Sequence, residues 1–203
     1  MTIKHKIQSG RPMPLGATLT PSGANFAVCS RHATAITLEL FSAPEEEEPT
    51  NSFRLDPRTN KSGDIWHIFV SDVSHGQLYG FRVDGPYAPR EGHRFNRNKL
   101  LMDPYTKAIA GHYTTGHTAL FGHQKNSSGS IHSPSMLNSA TSTARSVVLS
   151  DSFDWQGVGK PGIPDHEMVI YEVHVRGLSK HHSSPAKSKG TYRGVVECIP
   201  HLK

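Results

Sequence analysis

The sequence predicts a mainly β fold: a β-sandwich over residues 11–100, an irregular connector over 101–164, and one βα unit over 165–203. Two observations lead to this prediction. Short runs rich in β-branched and aromatic residues, separated by turn residues, recur through the first hundred residues, which is typical of a sandwich. Near the C-terminus, a strand pattern is followed directly by a helix pattern, which is the order of elements in a parallel α/β fold.

The sandwich prediction depends on five short runs of residues. In one of them, Ile36, Leu38 and Leu40 alternate with Thr and Glu, so these three side chains are expected on one face of a half-buried strand. The sequence Asp84-Gly85-Pro86 then provides a turn after the last run. The five runs are NFAVC (25–29), ITLELF (36–41), FRL (53–55), WHIFV (66–70) and LYGFRV (78–83).

The predicted connector loses this strand pattern. Residues 111–146 are dominated by Gly, Ser, Thr, His and Asn and have few apolar positions, so this stretch is expected to be a flexible loop. Apolar anchors return at 147–149, and Pro161, Gly162 and Pro164 then mark a boundary. The connector therefore separates two differently built parts of the chain.

The last part of the chain predicts a strand and a helix. Residues 168–176 are apolar at their start and then alternate, which is typical of a buried strand. Val195, Ile199 and Leu202 follow at helical spacings, and Pro200 is expected to start a turn or a kink there. Because a buried strand needs neighbours and no second strand pattern follows, we expect the first βα unit of a larger fold, poorly ordered by itself.

The composition limits the classes of function. The net charge is +5, but Lys and Arg are scattered and no basic cluster is interleaved with aromatic residues, so we expect no nucleic-acid partner. No apolar stretch approaches the roughly 20 residues of a membrane span, and the N-terminus lacks the apolar region of a secretory signal. We therefore expect no membrane association and a cytoplasmic location, with a plastid as the alternative.

The cysteine and histidine residues predict neither a disulfide framework nor a metal site. Cys29 and Cys198 are far apart in sequence and are expected to be reduced thiols. His112, His117 and His123 lie in the predicted flexible stretch without a neighbouring Cys or carboxylate, whereas zinc needs ligands fixed in ordered structure. No phosphate-cradling or dinucleotide-binding motif stands out, so no cofactor is expected.

Several segments of the chain resemble isoamylase-type glycogen-debranching enzymes of glycoside hydrolase family 13, and they occur in the expected order. They are PLGAT, GANFAVCS, GDIWHIFV, LYGFRVDGPY, EGHRFN, LLMDPYTKAI, FDWQG and YEVHVRG. The resemblance implies an immunoglobulin-like sandwich of the early-set type, similar to carbohydrate-binding family 48 modules, followed by a (β/α)8 barrel that is incomplete here. It also implies hydrolysis of α-1,6-glucosidic bonds, so a branched α-glucan such as glycogen or starch is the expected partner.

The catalytic carboxylates that the resemblance implies lie in motifs that these 203 residues do not contain, so no catalytic residue is assigned. Retaining glycosidases need two carboxyl groups about 5–5.5 Å apart. The carboxylates after Asp165 are Glu167, Glu172 and Glu197, without an evident pairing. We therefore expect the chain alone to be inactive. Two alternatives stay open: a stand-alone glucan-binding module, and a module that complements a separately encoded catalytic barrel.

Aromatic residues of the sandwich are the candidate glycan contacts. Trp66 and Tyr79 are the two candidates, with Tyr87 as a third, because an aromatic ring on a strand can stack on a sugar ring. The alternative for Trp66 is that its ring packs between the sandwich and the barrel.

Overall fold

The structure is a computed structural model that describes residues 5–124, 133–150 and 152–203. It forms two units, Met1–Ser152 and Phe153–Lys203. The strands of the first unit are β1 (Ile7–Gln8), β2 (Gly16–Thr20), β3 (Gly23–Cys29), β4 (Ala35–Phe41), β5 (Asn51–Arg54), β6 (Lys61–Ser62), β7 (Ile65–Ser71), β8 (Leu78–Asp84), β9 (Tyr87–Ala88), β10 (His93–Arg94), β11 (Ile109–Ala110) and β12 (Arg145–Val147).

The first unit is built from two antiparallel sheets. The first sheet has the order β1–β7–β3–β2, with the short β6 paired to β7. The second sheet has the order β11–β12–β8–β4–β5, and β9 and β10 form a separate two-stranded ladder. This mainly β architecture is the one that the sequence predicts, and the five predicted runs fall on or overlap β3, β4, β5, β7 and β8.

The main core of this unit follows the alternation of the strands. Ile36, Leu38 and Leu40 of β4 are at most 1% exposed, which confirms the predicted inward face of this strand. Trp66 and Ile68 of β7 belong to the same buried cluster. Burial of each large apolar side chain in such a core contributes about 1.5–3 kcal/mol to stability.

The predicted connector adds to the second sheet in the structure. β11 pairs with β12, and β12 pairs with β8, so the sheet continues well beyond residue 100. On the outer face of this sheet, Leu100 and Ala140 pack with Phe41 and Leu78 in a second apolar cluster. Leu100, at the end of the predicted sandwich, and Ala140 of the predicted connector therefore cover part of this outer face.

A buried cation, Arg145, contributes to the packing of the connector. Arg145 is fully buried; its guanidinium lies 4.2 Å from the centre of the Phe41 ring and donates to three backbone carbonyl oxygens. Within the predicted loop, residues 111–118 are exposed, whereas Ala119, Ser135 and most of 139–146 are buried. Residues 125–132 of that predicted loop lie outside the described residues.

In the second unit, the strand predicted over 168–176 is not formed. Residues 168–174 have no regular structure, and the side chains of Val169 and Ile170 are 93% and 81% exposed. A parallel strand needs the backbone hydrogen bonds of a neighbouring strand, and the described residues of this unit contain none. The residue pattern of a strand is contained in one segment, whereas the strand itself forms only when that segment pairs with another one.

The helix pattern of the second unit is divided between two short helices. Pro200 has no backbone N–H and lies in the first turn of the last helix, so the break predicted at this residue is confirmed. At Gly194, a Cβ atom would lie 2.5 Å from the carbonyl oxygen of Ser188, so a larger residue would force this contact apart. The helices are α1 (Val175–Lys180), α2 (Tyr192–Glu197) and α3 (Ile199–Leu202).

Candidate functional site

Trp66, the first predicted glycan contact, lies on the inward face of β7 and is 1% exposed. Its indole N–H donates to the carbonyl oxygen of Ser30 at 3.0 Å, and the Lys61 ammonium lies 4.8 Å from the ring centre. The ring packs inside the sandwich core, and in this structure it presents no face on which a sugar could stack. Trp66 is thus placed as a core residue.

Tyr79, the second predicted contact, is fully buried on the inward face of β8. Its ring makes edge-to-face contacts with Phe26 and Phe81, with ring centres 5.0 and 5.9 Å apart. Its hydroxyl donates to Asp103 Oδ2 at 2.8 Å. A sugar therefore has no access to this ring in the structure, and the Tyr79 hydroxyl anchors the segment that contains Asp103.

Asp103 is a buried carboxylate that joins three parts of the first unit. Besides the Tyr79 hydroxyl, it accepts the Tyr105 N–H at Oδ1 (2.8 Å), and its own N–H donates to Ser146 Oγ at 2.9 Å. Burial raises the pKa of Asp103, and the hydrogen bonds from Tyr105 and Tyr79 only partly oppose this effect. Burial likewise raises the pKa of the Tyr79 hydroxyl. The arrangement is a structural clasp.

The Asp103 clasp predicts a pH dependence of stability. Because the pKa of Asp103 is higher in the folded state, its contribution to stability is complete below the unfolded pKa of about 3.9 and declines as pH rises through the folded pKa. We expect the free energy of unfolding of Asp103→Asn, relative to wild type, to increase as pH rises from about 4 to 7. Urea unfolding across this range measures it, and a difference that is flat or falls with pH would contradict the prediction.

The Tyr79→Phe variant is the matched control for this pH profile. Its loss of the hydroxyl removes a hydrogen bond that lowers the pKa of Asp103, while the buried ring stays in place. The folded pKa of Asp103 should therefore rise further, and the stability of Tyr79→Phe should fall more steeply with pH than that of wild type.

Tyr87, the third candidate, is half-buried in the β9–β10 ladder. Its hydroxyl donates to the carbonyl oxygen of Ser133 at 3.3 Å. Of the three aromatic residues that the sequence singles out, this one alone keeps a substantially exposed ring. The structure does not bring Trp66, Tyr79 and Tyr87 together as one binding platform.

A polar groove of about 460 Å³ lies on the outer face of the first sheet. One wall is the segment 9–14, which crosses the sheet and is held by Asn25: its Oδ1 accepts the Arg11 N–H at 2.7 Å, and its Nδ2 donates to the Arg11 carbonyl at 2.9 Å. We call it the first-sheet groove. It is lined by Gln8, Ser9, Gly10, Arg11, Met13, Pro14, Thr18, Thr20, Ser22, Asn25 and Phe69.

A second hollow, of about 520 Å³, has mainly apolar walls. Phe81, Phe95 and Leu101 contribute to its walls, with Asn96 and Lys99 among its polar groups. The Lys99 ammonium donates to two backbone carbonyl oxygens at 2.7 Å and to Ser135 Oγ at 3.0 Å, and burial lowers its pKa. These contacts fix the loops around the hollow, so this lysine has a structural task.

The carboxylate of Glu197 in the second unit is engaged in a local structural contact. It accepts the backbone N–H groups of Lys187 and Ser188 at 2.6 and 3.1 Å and the Ser188 hydroxyl at 2.9 Å. The hydrogen bonds from Ser188 are the main reason why the pKa of Glu197 is lowered. A carboxylate held in this way stabilises the loop before α2, which is a different task from proton transfer.

Large apolar side chains of the second unit are exposed. Tyr192 and Val196 on α2 are 80% and 61% exposed, and Phe153 and Trp155 pack edge to face with ring centres 4.8 Å apart while remaining open to solvent. Exposed apolar surface of this extent is typical of a segment that contacts another protein surface.

The described residues include no group of three or more His, Cys, Asp or Glu side chains placed to hold a metal ion. Among the same residues, no helix combines the length and the apolar character that a membrane span needs. Cys29 is exposed and Cys198 is buried, and both are free thiols.

The first-sheet groove is the feature that the sequence interpretation missed. Its aromatic residue, Phe69, follows Ile68 in the run WHIFV, so strand alternation places it on the face opposite to Trp66 and Val70. That signal was available in the sequence. The crossing segment 9–14 has no periodic signature, and its contact with Asn25 becomes visible only in the structure.

Comparison with known proteins identifies related chains. Residues 14–106 match the family described as carbohydrate-binding module 48 (isoamylase N-terminal domain). The chain is 39% identical over 191 residues to a glycogen debranching enzyme of Yersinia enterocolitica, which covers 94% of this chain and 27% of that protein. It is also 39% identical over 203 residues to a chloroplastic isoamylase of Zea mays, covering 98% of this chain and 24% of the relative.

A solved structure with a similar fold is a mutant pullulanase from Paenibacillus barengoltzii complexed with maltotriose. It matches with a TM-score of 0.60 at 21% identity and covers 90% of this chain and 23% of that chain. The 203 residues thus span about a quarter of the length of these proteins. These matches show that residues 14–106 are similar to the carbohydrate-binding module 48 family and that the chain as a whole is similar to the N-terminal regions of proteins named glycogen debranching enzyme and isoamylase.

Proposed function

We propose that this chain is the N-terminal part of a glycosidase that hydrolyses α-1,6-glucosidic bonds in a branched α-glucan. The observation that carries the proposal is the extent of the similarity. At 39% identity, it runs over 94–98% of the chain and so includes the second unit, well beyond the module at 14–106. A module selected only for binding has no reason to keep residues 153–203. We further propose a cytoplasmic location, with a plastid as the alternative.

In this proposal, the second unit begins a (β/α)8 barrel. Residues 168–174 form a strand when barrel neighbours provide backbone hydrogen bonds, and α2 covers it from outside. The exposure of Val169, Ile170 and Tyr192 supports this role, because inclusion in a barrel would remove these side chains from water. In the barrel, the strand that the sequence predicts over 168–176 would obtain the neighbouring strands with which to pair.

The chain by itself is proposed to be inactive. Retaining glycoside hydrolysis needs a nucleophilic carboxylate and a carboxylic acid about 5–5.5 Å apart. The Glu197 carboxylate accepts three hydrogen bonds from the loop before α2. Glu167 is exposed in the short helical turn at 165–167, and Glu172 is exposed in a segment without regular structure. These carboxylates lack the preorganisation that the reaction requires.

A chimera tests the proposed function. We expect the 203-residue chain to release no linear chains from glycogen in a reducing-end assay. The same chain should support debranching when it replaces the aligned N-terminal quarter of the Yersinia enterocolitica enzyme, because it would then supply the first βα unit of the barrel. Debranching by the chain alone, or a folded chimera without activity, would contradict the proposal.

The second candidate function is a glucan-binding module that acts without its own barrel. The finding that favours it is the first unit, which has its own buried core and a polar groove. A variant of this candidate is a module that complements a separately encoded barrel. Co-purification of a barrel-sized subunit with the chain would support that variant, and an inactive chimera with intact glucan binding would favour the module over the hydrolase.

A further inference from the structure

The two outer faces of the sandwich are not equally accessible. On the second sheet, Phe41 and Leu78 are covered by Leu100 and Ala140, and Arg145 fills the neighbouring space. A ligand cannot reach these strands without displacing packed chain. The first sheet instead carries the first-sheet groove on its outer face.

Four side chains form a row across the first sheet beneath this groove. Gln8 of β1 pairs with Phe69 of β7, Phe69 pairs with Asn25 of β3, and Asn25 pairs with Thr18 of β2. Adjacent strands lie about 4.8 Å apart, so such a row spans roughly 14 Å. Cross-strand partners point to the same side of a sheet, so an aromatic ring lies in line with two amides and a hydroxyl.

The chemistry of the groove is that of a neutral, hydroxyl-rich ligand. Arg11 is the one charged residue among its described lining residues, which include no carboxylate. The side-chain amide of Gln8 and the hydroxyl of Thr18 make no hydrogen bond within the described residues, so both remain available to a ligand. The half-buried Phe69 ring adds an apolar surface of the kind that packs on the face of a sugar.

The wall of the groove is held rigidly. The carbonyl oxygen of Ser9 accepts a hydrogen bond from His67 Nδ1 at 2.7 Å, and the backbone of Arg11 makes its paired contact with Asn25. At Gly10, φ is +75°, and a Cβ atom would lie 2.6 Å from Asn25 Oδ1. Glycine is required here by both conformation and space. A preformed wall reduces the entropy that a ligand loses on binding.

We propose that the first-sheet groove binds a linear segment of an α-glucan, with Phe69 against one sugar ring and with Gln8 and Thr18 as hydrogen-bonding groups. This inference rests on the proposed function, which provides the substrate class. It moves the glucan contact from the buried Trp66 and Tyr79 to the opposite face of the first sheet. The groove would hold a chain of the polymer while the branch point is cut elsewhere.

Calorimetric titration of the full 203-residue chain with maltoheptaose tests the groove. We expect Phe69→Ala and Thr18→Tyr to weaken binding at least about tenfold, because the first removes the apolar surface and the second fills the groove. Phe53→Ala is the control: Phe53 is, like Phe69, a half-buried phenylalanine on a strand, but it packs on the core and lies outside the groove. Its affinity should equal that of wild type.

The fold of each variant is checked by far-UV circular dichroism, and Thr18→Tyr provides the test if Phe69→Ala does not fold. Equal affinities of wild type and Thr18→Tyr would overturn the groove proposal, as would a wild-type chain that binds no maltoheptaose.

Because the glucan is neutral, the affinity should be the same at low and high salt. A strong decrease of the maltoheptaose affinity with salt would mean that charge controls the binding, which would overturn the proposal. Debranching by the chimera does not depend on these outcomes, so failure of the groove is distinguishable from failure of the proposed function.

Discussion

Replacement of Glu39 by Ala is expected to lower the free energy of unfolding of the first unit by about 3–5 kcal/mol. Arg82 Nε lies 2.9 Å from both carboxylate oxygens of Glu39, and their side chains are only 16% and 8% exposed. Without Glu39, a guanidinium would remain buried without its counter-charge. Arg82 also donates to Asn138 Oδ1 at 2.9 Å, so the loss should loosen the segment that covers the second sheet.

The exposed pair Arg31–Asp64 is the matched control for Glu39. Its nitrogen and oxygen are also close, at 2.8 Å, but the side chains are 72% and 40% exposed. Asp64→Ala should therefore cost much less stability than Glu39→Ala. The double replacement Glu39→Leu with Arg82→Met should recover much of the stability, because no buried charge then remains unpaired. Equal costs for Glu39→Ala and Asp64→Ala in urea unfolding would contradict the assignment of a buried ion pair.

Replacement of Trp66 by Ala is expected to cost about 3–5 kcal/mol, as is usual for a large aromatic residue in a packed core. The ring is 1% exposed, and its N–H satisfies the carbonyl oxygen of Ser30. Thermal unfolding followed by far-UV circular dichroism measures the loss. Tyr192→Ala, at an 80% exposed position of the second unit, is the control and should leave the transition of the first unit unchanged.

The Trp66→Phe variant separates a core role from a glycan role. It keeps most of the apolar volume and should remain folded, with a smaller loss of stability than Trp66→Ala. Its affinity for maltoheptaose should equal that of wild type. A folded Trp66→Phe chain that binds the glucan much more weakly would return Trp66 to the list of sugar contacts.

Much of the sandwich was predictable because strand alternation is a local signal. Ile36, Leu38 and Leu40 lie on the inward face, as their spacing predicts. The same alternation groups Trp66 with Ile68 and Val70, which argues for a core position. The glycan prediction for Trp66 gave weight to the chemistry of the ring and none to the face of the strand on which it lies.

The packing of the buried parts of the connector was not predictable, because polar contacts with the backbone contribute to it. Lys99 and Arg145 donate to backbone carbonyl oxygens, which every residue type has, so their partners leave no trace in the sequence pattern. The strand predicted over 168–176 shows the opposite case: its pattern is clear, but its neighbours are absent from the described residues. The first-sheet groove combines both cases. Strand alternation predicts the outward position of Phe69, whereas the position of the crossing segment 9–14 could not be predicted from its sequence.

The size of the natural protein tests the central proposal most directly. An antibody raised against the first unit should detect it by immunoblot in an extract of the source cells. We expect a band several times heavier than the 203-residue chain, in line with the 24–27% of the relatives that the chain covers, and immunoprecipitation of that band should deplete debranching activity. A band at the mass of 203 residues, with debranching activity left in the supernatant, would contradict the hydrolase and leave a glucan-binding module.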